Sequence, residues 1–164
     1  MMLPSYKNIV SKLIISIYGL LFAGGMPILY GIEMSYSRYY LHDALLLGIS
    51  LALLSIGLWL HKNSKWTIPS LALLFVAMFD MDYPSIHNVS AFIFFISSSW
   101  VIFLDDRFTR LGYYSLITYS LLLIPQNGLF WFEMIQIVII SGYHGLYSYR
   151  MLKTKLMREA NDQT

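Results

Sequence analysis

Hydrophobic residues run along this chain in long blocks separated by short polar clusters. Six blocks stand out, at roughly 13–32, 44–60, 66–82, 88–104, 111–125 and 129–149. None alternates as a membrane β-barrel strand would. A lone segment in lipid must satisfy its own backbone hydrogen bonds, so each block predicts a transmembrane helix. The expected fold is therefore all-α: a polytopic integral membrane protein with six transmembrane helices, one helical-bundle domain over residues 1–164, and a flexible tail at 158–164.

The polar clusters orient the blocks. Placing the N- and C-termini in the cytoplasm puts Lys7, Lys12, Lys62, Lys65, Arg107, Arg110, Arg150, Lys153, Lys155 and Arg158 inside and leaves only Arg38 outside. That distribution follows the positive-inside rule and points to a cell inner or plasma membrane. Lys7 and Lys12 precede the first block as they would in a signal peptide. The block is about 20 residues long without a small-x-small cleavage site, so it is expected to stay as the first span. The inner connections, His61 to Lys65 and Asp105 to Arg110, are short and predict antiparallel hairpins. The outer connections carry Glu33, Asp43, Asp80 and Asp82 together with His42 and His87, which gives an acidic, histidine-containing mouth.

Two blocks are short for a 30 Å hydrocarbon core, which takes about 20 helical residues. Trp66 to Phe79 should borrow Asp80 to cross, placing that carboxylate at the interface. Leu111 to Ile124 ends at the turn signal Pro125-Gln126-Asn127-Gly128. Tyr36, Tyr39, Tyr40, Trp66, Tyr83, Trp100, Tyr113, Tyr114, Trp131, Tyr143, Tyr147 and Tyr149 fall near block ends and read as an interfacial belt. Gly24-Gly25, Ser97 to Ser99, Gly142 and Gly145 are small enough to let helices approach closely.

Composition agrees with a membrane class: 57% hydrophobic, 12% charged, mean hydropathy +0.60. With no cysteine, disulfides, zinc-thiolate sites and thiol chemistry are excluded. A net charge of +2 gives no reason to expect nucleic acid, and no Walker loop, dinucleotide fingerprint or GxSxG elbow is present.

Chemistry concentrates between Met78 and Asn88. Asp80 at a helix C-terminus faces the negative end of the dipole and poor solvation. It needs a salt bridge such as Arg38, a protonated His87, a metal ion or a raised pKa. His87 opens the fourth helix behind Pro84-Ser85, with Ala91 and Phe94 on its face. It reads either as a polar helix start bonded to Asp80 or Asp82, or as an imidazole held by a carboxylate for metal or base chemistry. Asp43 suits the N-cap of the second helix, leaving His42 to swing toward Asp80 and His87. The set His42, Asp80, Asp82 and His87 has the elements for a divalent metal such as zinc, though its spacing matches no standard ligand motif. Glu133 suits the start of the last helix electrostatically, yet an intramembrane carboxylate is a functional candidate by default. His144, between Tyr143 and Gly145, reads as a packed histidine before a ligand.

Ser35-Tyr36-Ser37-Arg38-Tyr39-Tyr40, together with His87 followed by Ala91-Phe92 and Phe94-Phe95, resembles the six-span FRAG/DRAM/Sfk superfamily and its bacterial relatives of unknown function, loosely over residues 35–150. Those relatives continue the first element with Arg-Asp and Phe-Val-Gly, where this chain has His42-Asp43 and Leu47-Gly48. The resemblance implies an architecture and a link to lipid-anchor remodelling and organelle membranes, without implying a catalytic group.

Three functions from different classes fit these residues. The leading expectation is recognition of a lipid or membrane-protein partner through the Ser35–Asp43 and Asp80–His87 segments of the outer face. An alternative is a metal-dependent intramembrane lipid hydrolase using the His42, Asp80, Asp82 and His87 set. A second alternative is a homo-oligomeric pore or effector lined by Glu133 and the serine run.

Overall fold

The computed structural model describes residues 6–59, 64–79 and 82–161. Among them the regular elements are all helical: α1 (Tyr6–Tyr30), α2 (Tyr40–Trp59), α3 (Thr67–Met78), α4 (Pro84–Phe103), α5 (Thr109–Ile117) and α6 (Gly128–Asn161). Short 3₁₀ turns precede α2 and α3, and a longer 3₁₀ stretch, Thr118–Leu123, continues α5. Every hydrophobic block thus holds helix. Four helical stretches are long and apolar enough to cross a membrane, Ile9–Tyr30, Ser37–Trp59, Pro84–Phe103 and Gly128–Asn161. Ser64–Met78 is apolar but shorter, and α5 has only 9 residues. The last helix runs to Asn161, so residues 158–161 of the expected tail are helical, and 162–164 lie outside the described residues.

Local chemistry sets the helix ends. Gly31 terminates α1 at φ +81, a left-handed value that costs a residue with a side chain more than glycine. Its amide donates to the Pro27 carbonyl at 2.9 Å. Asp43 leaves helical geometry at φ −153, ψ 83. Its carboxylate accepts the Leu46 amide at 2.8 Å, the N-cap bond expected of an aspartate there. In the fifth segment, the Thr118 and Ser120 hydroxyls donate to carbonyls three residues back, at 2.7 and 2.8 Å. Such local bonds compete with the α-helical pattern where it gives way to 3₁₀.

The helices close into a ring in the order α1, α2, α3, α4, α6, and α6 returns to α1. The α5 segment braces the outside of the α4–α6 junction. Neighbours run antiparallel except α4 and α6, which run parallel, with Phe95 beside Phe132 and Ser99 beside Gln136. Tyr18 donates to Ser50 at 2.8 Å between α1 and α2. Ser55 and Ser70 exchange hydroxyl-to-carbonyl bonds of 2.7 and 3.0 Å between α2 and α3. The α1–α6 seam is built from small residues, with Gly19 against Ser141 and Gly145 against Ser16. The glycines singled out from the sequence behave differently: Gly24, Gly25 and Gly142 face open space, and of that set Gly145 alone sits in the seam.

Polarity is inverted relative to a soluble protein. Ile28, Leu45 and Leu123 are 84%, 74% and 86% exposed, whereas Ser98, Ser99, Ser115 and Gln136 are 0% exposed. An apolar exterior around a serine-rich interior is what hydrocarbon as a solvent selects. The aromatic belt divides accordingly. Trp100, Tyr113, Tyr114 and Tyr149 are exposed, but Tyr39, Tyr40, Trp66 and Tyr143 are buried inside the bundle.

The two ends of the ring differ in charge. At one end Lys12 and Arg107 lie over the Tyr147 ring and Arg150 over Phe108, at 3.8, 4.6 and 4.6 Å. Asp105 pairs with Arg107 at 2.8 Å and accepts the Tyr143 hydroxyl at 3.0 Å. The other end gathers Glu33, Arg38, His42, Asp82 and His87.

Candidate functional site

The ring encloses a slot lined by α1, α2, α3, α4 and α6. It holds about 70 Å³, against the roughly 10–15 Å³ that one water needs. Tyr40 and Leu58 both line it, and they stand about 27 Å apart along α2 at 1.5 Å per residue. A volume so small over such a length makes the slot narrow. Its walls are almost wholly apolar, with Leu51, Leu54, Phe94 and Ile140 among them. The polar groups that reach it are Ser37, Tyr40, His87 and Glu133 near the histidine-bearing end, and Ser141 farther along at the α1–α6 seam.

The short third helix explains how two of these are placed. A helix leaves its last carbonyls without intrahelical donors, and α3 ends inside the bundle. Tyr40 of α2 donates its hydroxyl to the Val76 carbonyl at 3.0 Å. His87 of α4 donates Nδ1–H to the Phe79 carbonyl at 2.7 Å. The Tyr40 and His87 rings meet edge to face, 5.6 Å between centroids. Side chains of both neighbouring helices therefore finish the backbone of α3.

That bond also sets the tautomer of His87. A carbonyl can only accept, so the proton of the neutral imidazole sits on Nδ1 and Nε2 carries a lone pair. The residue is 1% exposed, and Nε2 has no hydrogen-bond partner among the described residues. A buried unsatisfied acceptor costs about 1–3 kcal/mol, a penalty concentrated beside the slot.

Glu133, in the second turn of α6, is 5% exposed and accepts the Ser37 hydroxyl at 3.3 Å. Residues expected to carry chemistry are thus brought together in part: His87 and Glu133 share the slot, and Ala91 and Phe94 line it on the predicted face of His87. His42 goes elsewhere. Its Nε2 pairs with Glu33 at 2.8 Å and its ring stacks on Tyr30 at 5.2 Å, so it does not swing toward His87. Asp82 is exposed, Arg38 forms no ion pair among the described residues, and Asp80 lies outside them. Among the described residues no group of three or more His, Asp or Glu could hold a metal ion. His144 is packed against the Trp66 ring at 4.5 Å, away from the slot lining.

Sequence reasoning passed over Gln136. Its Oε1 accepts the Ser115 hydroxyl at 2.8 Å, and its Nε2 donates to the Ser115 carbonyl at 2.8 Å and to Thr118 Oγ1 at 2.7 Å. Ser99 joins through Ser115 at 2.6 Å. A signal was present: Glu133, Gln136, His144 and Ser148 recur on one face of α6 at helical spacing, and all are buried. In lipid, such a polar stripe marks the inward face.

At the acidic corner of the basic end, burial pushes the Asp105 carboxyl upward. The Arg107 side chain and amide and the Tyr143 hydroxyl outweigh this, and the net direction is below the usual carboxylate value. The same bond from Asp105 raises the already high Arg107.

No protein-family model, no curated protein and no solved structure matches this chain.

Proposed function

We propose that this chain is a six-span bundle of the cell inner or plasma membrane, with both termini cytoplasmic, that recognises a membrane lipid by drawing its alkyl chain into the interior slot. The observation that carries the reading is the slot itself: long, narrow and mostly apolar, with four of its five polar lining residues at one end. Small-ligand sites generally combine apolar walls with a few convergent polar groups; at about 70 Å³ the slot is smaller than the roughly 150 Å³ cavity that takes benzene, so an alkyl chain enters by parting the helices. Ser37 and Tyr40 belong to the Ser35–Asp43 segment and His87 to the Asp80–His87 turn, so the outer-face segments expected to recognise a partner reach the same place.

Six crossings are supported by length. The turn and helix over Ser64–Met78 span about 24 Å, and α5 with its 3₁₀ extension about 26 Å, because a 3₁₀ residue rises about 2 Å. A mismatch of a few ångströms costs only fractions of a kcal/mol per Å. Ser37, Tyr40, His87, Ala91, Phe94 and Phe95, which carry the proposed kinship with the FRAG/DRAM/Sfk superfamily, all line the same cavity.

The test is native mass spectrometry of protein released from native membrane, wild type beside Ala91→Phe, which puts a ring into the slot. Wild type should retain near-stoichiometric lipid and the variant several-fold less at similar thermal stability. Equal retention by a well-folded variant would exclude the slot as the binding place.

A further inference from the structure

We infer that the lipid taken by the slot carries a hydrogen-bond-donating head, a hydroxyl or amino group on a single alkyl chain; this rests on the reading above and specifies its ligand. The inference comes from where the protons at the polar end already go. Tyr40 spends its hydroxyl proton on the Val76 carbonyl at 3.0 Å. Ser37 spends its proton on Glu133 Oε1 at 3.3 Å. His87 spends Nδ1–H on the Phe79 carbonyl at 2.7 Å. Each of these three donors is committed to a protein acceptor.

What His87 keeps, as a neutral imidazole, is an acceptor: Nε2, buried, without a hydrogen-bond partner among the described residues, on a ring that lines the slot and is oriented through its other nitrogen. An incoming O–H or N–H gives that lone pair the hydrogen bond the protein withholds. A head that only accepts, such as an ether or ester oxygen, finds the three donors occupied. An anionic head meets the Glu133 carboxyl as well. A site that has buried a hydrogen-bonding group for its ligand rejects the analogue that cannot pair with it more strongly than it rejects a change in chain length.

The experiment uses the full chain in nanodiscs and a matched series of one chain length: hexadecan-1-ol, hexadecylamine, 1-methoxyhexadecane and hexadecane. Each competes with a fluorescent alkyl probe and is scored by its mole fraction in the bilayer. The alcohol and amine should displace the probe at least tenfold more effectively than the ether and alkane. In His87→Phe, which keeps a ring but removes the lone pair, alkane binding should persist while the preference for the alcohol disappears.

If all four compounds compete equally, the donor requirement is wrong while slot binding stands. A preference that survives in His87→Phe removes His87 as its source and overturns the inference. If none displaces the probe, slot binding itself fails and takes the inference with it. The series on wild type needs no variant, so poor folding of His87→Phe leaves the test intact.

Discussion

Gln136 is the residue on which three segments depend. It draws a hydroxyl, a carbonyl and a second hydroxyl from the α5 segment into the base of α6, and each partner is buried or nearly so. Hydrogen bonds between membrane helices average only about 0.6 kcal/mol, but stranding several partners adds the cost of leaving buried groups unpaired. Gln136→Leu should therefore lower stability by about 2 kcal/mol, read as a reduced unfolding midpoint in detergent, whereas Gln136→Asn should lose less. Asp105 gives a prediction with a sign. Its pKa is depressed in the folded protein, so its contribution is present above the unfolded value of about 3.9 and is lost as pH falls through the lower folded value. Asp105→Asn should cost about 1 kcal/mol between pH 5 and 8, since a half-exposed Arg107 partner is partly screened. The gap between wild type and variant should close below about pH 4.

Among the helices, the α4–α5 hairpin is closely held. A Cβ on Gly112 would run into the Phe103 backbone, which cannot rotate aside. Overpacking of this kind costs roughly 1–3 kcal/mol. Gly112→Ala should therefore destabilise by about 2 kcal/mol, while Gly24→Ala, with open space around it, should be neutral or slightly stabilising; thermal unfolding of the two side by side checks the contrast. The same comparison shows what the sequence made legible at this scale. Helix existence was readable, because an apolar run long enough for lipid has few alternatives. The identity of the seam residues was not: Gly24-Gly25 is the more conspicuous pair, but only the rotation of α1 about its axis decides that Gly19 meets Ser141. Of the site, the face made by His87, Ala91 and Phe94 was legible from spacing within one helix. The meeting of Ser37 with Glu133, 96 positions away, depends on ring order, and no local pattern encodes it.

For the whole molecule, the number of crossings is testable because the chain has no cysteine. Single cysteines at Ser85 and Asp106, both exposed, distinguish the arrangements. With six crossings and cytoplasmic termini, Ser85→Cys should react with a membrane-impermeant maleimide in intact cells, and Asp106→Cys only after permeabilisation. If α3 and α5 did not cross, the two labels would exchange sides. The inverted polarity of the bundle and the gathering of Lys12, Arg107 and Arg150 at one end belong to this scale as well, since both describe how the molecule meets a bilayer rather than how any helix is built.

The seam between α1 and α6 joins the first helix to the last, with Tyr6 donating to Glu159 at 3.0 Å across it. From the ribosome's side, α1 is inserted long before its principal partner exists. Until Ser141 and Gly145 emerge, the nascent chain is an open horseshoe whose inward serines face lipid or the insertion machinery. The interior is therefore assembled at the end of synthesis, and a chain stopped before α6 lacks one wall of it as well as the seat of its own beginning.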